Sequence, residues 1–189
     1  MEILLASQSP RRQELLQSMG YDFTVVSIDC NEVYGPEIEA KEVATYLSQL
    51  KAKAFGPVPE GQILITADTV VVHQNEVLGK PKDAQHASQM LAKLSGTKHQ
   101  VYTACSITTA DKSISFCDEA SVSLSVLSPE EIQYYIQTAK PFDKAGSYGV
   151  QDWLGMTKIE QIIGSYYTIM GLPTHLLYQH LETFGVLKI

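Results

Sequence analysis

Ile63-Leu64-Ile65-Thr66-Ala67-Asp68-Thr69-Val70-Val71-Val72 is the most apolar run of the chain. It is rich in β-branched residues and shows no polar alternation, so it predicts a strand buried on both faces. A strand of that kind needs helices on both sides of its sheet. Asp68 interrupts the run from within. An ionised carboxylate there is costly unless it is paired, bound to a metal, or placed where the strand opens into a cleft. The competing reading is an Asp at a strand end that hydrogen-bonds a turn.

A second feature lies at the N-terminus. Ile3 to Ala6 reads as a short strand, followed by a turn and a helix with Ser9 as N-cap and Pro10 at the first helical position. The chain has two arginines, Arg11 and Arg12, and both fall in the first turn of that helix. The positive pole of the macrodipole and the unpaired N–H groups are already there. An anion, phosphate above all, would resolve this crowding of like charge. A solvated arginine pair on a surface helix is the alternative. A similar arrangement recurs at Gly79-Lys80-Pro81-Lys82-Asp83, where Asp83 is a plausible N-cap for a helix over 84–94 and two lysines stand just before it. Two such starts suggest a polyanion held between them.

The rest of the chain alternates strand and helix signals. Phe23 to Ile28 reads as a strand, Asp29 to Glu39 as an acidic loop, and Ala40 to Phe55 as a helix. Within the acidic loop Glu32 is a metal-ligand candidate. Lys51 and Lys53 near the end of that helix are accounted for by the dipole alone. Segments 100–109 and 113–127 predict a long hairpin, and Ser128-Pro129-Glu130-Glu131 a capping box that opens a helix. Lys140 to Gln151 is a glycine-bearing loop of the type whose N–H groups can approach a phosphate or base. Thr157 to Ile163 and Tyr166 to Met170 predict a second hairpin, before a final helix over 174–184. The sum is a single α/β domain over 1–189, with room for two lobes: a mixed twisted sheet flanked by helices, with a cleft.

A net charge of −7 argues against a general nucleic-acid binder. No run of about 18 apolar residues occurs, which predicts no membrane span and a cytoplasmic protein. Cys30, Cys105 and Cys117 lack C-x-x-C spacing and read as reduced thiols. The five histidines are scattered without ligand spacing.

Taken together, the blocks Leu5-Ala6-Ser7-Gln8-Ser9-Pro10-Arg11-Arg12, Lys51-Ala52-Lys53-Ala54, Ala67-Asp68-Thr69-Val70-Val71, Gly79-Lys80-Pro81-Lys82-Asp83 and Asp143-Lys144-Ala145-Gly146-Ser147-Tyr148-Gly149-Val150-Gln151 resemble the Maf family of nucleotide pyrophosphatases. Segments 94–101, 164–166 and 171–173 extend the match in family order. The resemblance implies a fold akin to inosine triphosphatase, often a homodimer, and hydrolysis of a nucleoside triphosphate between the α and β phosphates with Mg²⁺ or Mn²⁺. The Ala-Gly-Ser-Tyr-Gly-Val-Gln loop resembles the subfamily acting on dTTP and UTP. The same match implies Asp68 as proton acceptor or metal ligand, and Arg11, Thr69 and Gln151 as base-selecting. Ser7, Arg12, Glu32, Lys51, Lys80, Asp83 and Lys144 fall where the family gathers phosphate and metal groups. Gln8, Lys140 and the stretch from Asp152 to Met156 depart from the usual pattern. Two other functions compatible with these residues are a non-catalytic nucleotide-binding regulator of septum formation and a pyrophosphatase for a modified nucleotide such as 7-methyl-GTP.

Overall fold

A computed structural model describes residues 1–186. Its strands are β1 (Glu2–Ala6), β2 (Phe23–Val25), β3 (Gln62–His73), β4 (Glu76–Leu78), β5 (Lys98–Thr108), β6 (Ser113–Leu124) and β7 (Ile159–Ile163). Its helices are α1 (Pro10–Ser18), α2 (Val43–Phe55), α3 (Ala84–Leu94), α4 (Pro129–Ala139), α5 (Trp153–Lys158), α6 (Tyr166–Met170) and α7 (Thr174–Thr183). The strands form one mixed seven-stranded sheet in the order β2-β1-β3-β5-β6-β7, with β4 paired to β3. The fold class is therefore α/β with a mixed sheet flanked by helices, as the buried run of β3 requires.

Contacts divide the described residues into two compact units. The first comprises Met1–Asp68, Thr103–Asp118 and the chain from Gly171 onward. In it β1 pairs in parallel with both β2 and β3, and the last β1–β3 pair is Ala6 with Thr66. Leu4, Ala6, Ala52, Val58 and Leu64 form an apolar cluster against which Val26, Ile28 and Phe55 pack. The second unit comprises Thr69–Tyr102 and Glu119–Met170. Its core joins residues of α3, α4 and β6 with Tyr135, Tyr148 and Leu154.

Three expectations are corrected. The strand expected over 23–28 ends at Val25; beyond one more bond, from Val26 N–H to the Leu5 carbonyl, the chain leaves the sheet and Ile28 packs on the apolar cluster instead. The hairpin expected from Thr157 to Met170 does not form. Residues 153–158 are helical, β7 pairs antiparallel with β6, and Tyr166–Met170 is a short helix. Its tyrosines, Thr168 and Ile169 carry strand propensity, but burial of Thr168 in a helical turn wins over local preference. Finally, Ser9 occupies the N-cap position of α1 but its side chain makes no capping bond; its own N–H donates to Ser7 Oγ at 3.2 Å.

Candidate functional site

β3 outruns its neighbour. β1 stops at Ala6 opposite Thr66, so the next residues of β3 lose their partner on that side. Arg12 reaches this point from α1: its Nη1 donates to the Ala67 carbonyl at 2.9 Å and its Nε to the Gly171 carbonyl at 2.8 Å. A longer contact, 3.4 Å, joins Nη1 to Ser7 Oγ. The guanidinium is thus partly used to satisfy backbone carbonyls, a structural duty the sequence does not announce. Burial lowers its pKa from the usual value, and nearby Asp68 partly offsets this.

Asp68 follows directly and is buried at 8% exposure. Its carboxylate is paired, which answers the cost of placing it within an apolar strand. Lys51 Nζ on α2 lies 2.5 Å from Asp68 Oδ1 and 3.2 Å from Glu32 Oε1. One turn earlier on α2, the Ser48 carbonyl accepts from the Thr66 hydroxyl at 2.7 Å. Thr66 and Asp68 share a face of β3, so the two cross-links fix how α2 lies on the strand. Lys51 is accordingly more than a dipole-complementing cation at a helix end. The structure brings Glu32, Lys51 and Asp68 into one cluster and places Ser7 and Arg12 beside the Ala67–Asp68 segment. Arg11 is half-buried in the first turn of α1. The Ser9 side chain makes no capping bond there, and the positive pole of α1 lies at this end.

Cys30 is half-buried, and burial with Glu32 close by raises its thiol pKa. Cys105 is fully buried and its pKa is pushed up to about 12. Both are unsuited to nucleophilic work.

The remaining candidates lie in the second unit. Thr69 is half-buried and points to the face of β3 opposite Asp68. Lys80 is exposed in the loop between β4 and α3. Asp83 is the N-cap of α3, accepting from His86 N–H at 2.7 Å. The two helix starts therefore differ: α3 already carries its own carboxylate, and α1 carries none. Loop 144–152 is tied to the Lys80 loop by a bond from Gly146 N–H to the Gly79 carbonyl at 3.1 Å. Lys144 in that loop is committed to carboxylates, 2.8 Å from Asp143 Oδ1 and 3.8 Å from Asp152 Oδ2. Gln151 Oε1 is buried and has no hydrogen-bond partner. A buried carbonyl oxygen in that state costs about 1–3 kcal/mol unless a ligand donor meets it.

Residues that spacing could not nominate support this loop. Tyr148 OH is 2.7 Å from His99 Nε2, and both side chains are buried. Burial, with His73 adding to it, lowers the His99 pKa to about 4. The unfolded chain, with an ordinary histidine, binds the proton more readily than the folded one. The stability that goes with keeping this buried imidazole neutral is then fully present above pH 6.5 and lost as pH falls towards 4, by about 3 kcal/mol. Between pH 7 and pH 4 the unfolding free energy of wild type should fall by about 3 kcal/mol more than that of His99→Gln. Parallel curves would contradict the assignment.

A family model described as Maf-like protein matches residues 2–184. A Flavobacterium johnsoniae protein named dTTP/UTP pyrophosphatase is 44% identical over 183 residues, covering 96% of this chain and 94% of that protein. A Bacteroides thetaiotaomicron protein of the same name is 44% identical over 183 residues, covering 96% and 95%. Among solved structures, the Staphylococcus aureus Ham1 protein matches with a TM-score of 0.45 and 17% identity over 66% of this chain and 72% of that one, too distant to argue from. The matched span and the blocks around Ser7, Asp68, Lys80 and Gln151 lead to one assignment: the chain belongs to the Maf family.

Proposed function

We propose that this chain hydrolyses the pyrimidine nucleoside triphosphates dTTP and UTP to the monophosphate and pyrophosphate, removing modified pyrimidine nucleotides before they are incorporated. The observation that carries the reading is the Asp68–Lys51–Glu32 cluster where β3 outruns β1, next to Ser7 and the anchored Arg12. The names of the relatives supply the substrate pair.

Arg11 and the positive pole of α1 draw the phosphate tail, and Arg12 adds charge from its anchored position. Lys51 holds Asp68 by Oδ1. Asp68 then takes the proton of an attacking water on Oδ2, as general base. The family blocks also nominate Lys80 and Lys144 as phosphate contacts, with Ser7 and Asp83 also within those blocks.

Glu32 and Asp68 are the residues that would hold a divalent cation. The donor set fits Mg²⁺ or Mn²⁺: both are hard oxygen donors gathered on one ammonium, and Mg²⁺ is commonly held by one or two carboxylates with substrate phosphates completing its shell. When bound, such an ion supplies Lewis-acid polarisation of the phosphoanhydride.

Gln151 selects the base, with Arg11 and Thr69. Its unpartnered Oε1 is an acceptor for the N3–H of uracil or thymine, and its Nε2 a donor to O4. Cytosine presents the reverse pattern. A panel of UTP, dTTP, CTP, GTP and 7-methyl-GTP should give the highest kcat/KM for UTP and dTTP. Gln151→Ala should lower those two about 10- to 100-fold, the scale of a lost hydrogen-bond pair in a buried site. A 7-methyl-GTP preference would move the chain to the other substrate class, and binding without turnover would favour a regulator.

A further inference from the structure

Gln151 sits in a turn held at both ends by one side chain. Asp152 N–H donates to the Gly149 carbonyl at 3.1 Å, making Val150 and Gln151 the two central residues of a tight turn. Tyr135 on α4 is fully buried, and its hydroxyl lies at the mouth of this turn. It accepts from Gly149 N–H at 3.0 Å and donates to Asp152 Oδ2 at 2.8 Å. Burial, with Asp152 alongside, raises the pKa of this phenol, so it stays protonated and keeps its donor at all working pH. Lys144 balances the same Asp152 oxygen from 3.8 Å.

The surroundings leave this turn little alternative. A Cβ at Gly149 would come within 2.6 Å of Asp152 Oδ2, so only glycine lets the carboxylate reach its place. A Cβ at Gly155 would meet the Val150 carbonyl oxygen, which seats α5 directly beneath the turn. Trp153 stacks on the Tyr135 ring with centroids 6.5 Å apart. The phenol is therefore fixed by packing, and the turn is fixed by the phenol.

We propose that Tyr135 is a positioning residue for base selection: by bonding Gly149 and Asp152 at once, it fixes the direction in which Gln151 presents its amide. The inference rests on the reading of Gln151 as the base contact. A glutamine amide turned over by 180° exchanges donor and acceptor and would pair with cytosine as well as it now pairs with uracil. Discrimination between UTP and CTP thus depends on holding the turn, and not only on having a glutamine in it.

The test measures kcat and KM for UTP and CTP in wild type, Tyr135→Phe, Gln151→Ala, Asp152→Asn and Asp152→Leu, each checked for a cooperative melt. Tyr135→Phe keeps the ring and its packing. It should lower the UTP/CTP ratio of kcat/KM about tenfold, mainly through KM for UTP, with kcat at saturating UTP little changed. Asp152→Asn keeps an acceptor for the phenol and should retain the ratio, whereas Asp152→Leu should lose it as Tyr135→Phe does. Adding Tyr135→Phe to Gln151→Ala should cause no further loss of ratio. If Gln151→Ala collapses the ratio while Tyr135→Phe leaves it intact, the positioning role is wrong and the base contact stands. If Gln151→Ala leaves the ratio intact, the base contact is wrong and the positioning role falls with it. Equal losses for UTP and CTP in Tyr135→Phe, or a fall in kcat alone, would mark a general structural role and overturn the proposal.

Discussion

Asp68→Asn should fold, with some stability lost for the Lys51 charge it leaves behind, and lose turnover by about 10²–10⁴-fold, the range over which a positioned general base acts. The amide is the same size as the carboxylate, and its oxygen can still accept from Lys51 where Oδ1 does now. Lys51 keeps Glu32 as its charged partner. What the variant lacks is a group able to take a proton and a formal charge on β3. Because substrate binding is assigned mainly to α1, Arg12 and the lysines, KM should change much less than kcat. Folded protein with near-normal turnover for UTP would remove Asp68 from the chemistry.

Lys51→Met should be damaging in two separable ways. Both Lys51 and Asp68 are largely withdrawn from water, with side-chain exposures of 13% and 11%. Removing one partner of such a pair leaves the other charge buried and uncompensated, at a cost of about 3–5 kcal/mol. The Glu32 contact contributes little to that sum, since Glu32 is exposed. Activity should fall with stability. The double variant Lys51→Met/Asp68→Asn separates the two effects: with no charge left to strand, most of the lost stability should return while turnover stays absent. Chemical denaturation of the four proteins in the cycle measures this. Additive stability losses would show that the short Lys51–Asp68 contact carries little coupling.

The predictable parts of this chain were those where one local signal decides. The ten-residue apolar run could only be a buried strand, and it is the core of β3. The capping box at Ser128 and Glu131 is formed with both reciprocal bonds. Asp83 caps α3 as its position before an amphipathic run implies. Failures arose where tertiary contacts outweighed local preference. Tyr166–Met170 has the composition of a strand and is a helix. Ser9 has the right identity for a cap, but the neighbouring Ser7 hydroxyl takes its N–H and its own side chain stays out. For the site, the residue types at Asp68, Glu32 and Gln151 carried a chemical signal of their own or through the family blocks. Tyr135 carried none, and Tyr148 and His99 lay inside family blocks without a chemical signal of their own, because each acts by reaching across more than a dozen residues to its partner. Arg12 shows the same limit from the other side. Its charge pointed to an anion, and nothing in its spacing foretold that it would also hold the Ala67 and Gly171 carbonyls.

Product identity tests the central claim most directly. Wild-type protein incubated with UTP and Mg²⁺, followed by phosphorus NMR, should yield UMP and pyrophosphate in equal amounts with no orthophosphate. UDP with orthophosphate, or intact UTP after prolonged incubation with saturating protein, would contradict the account.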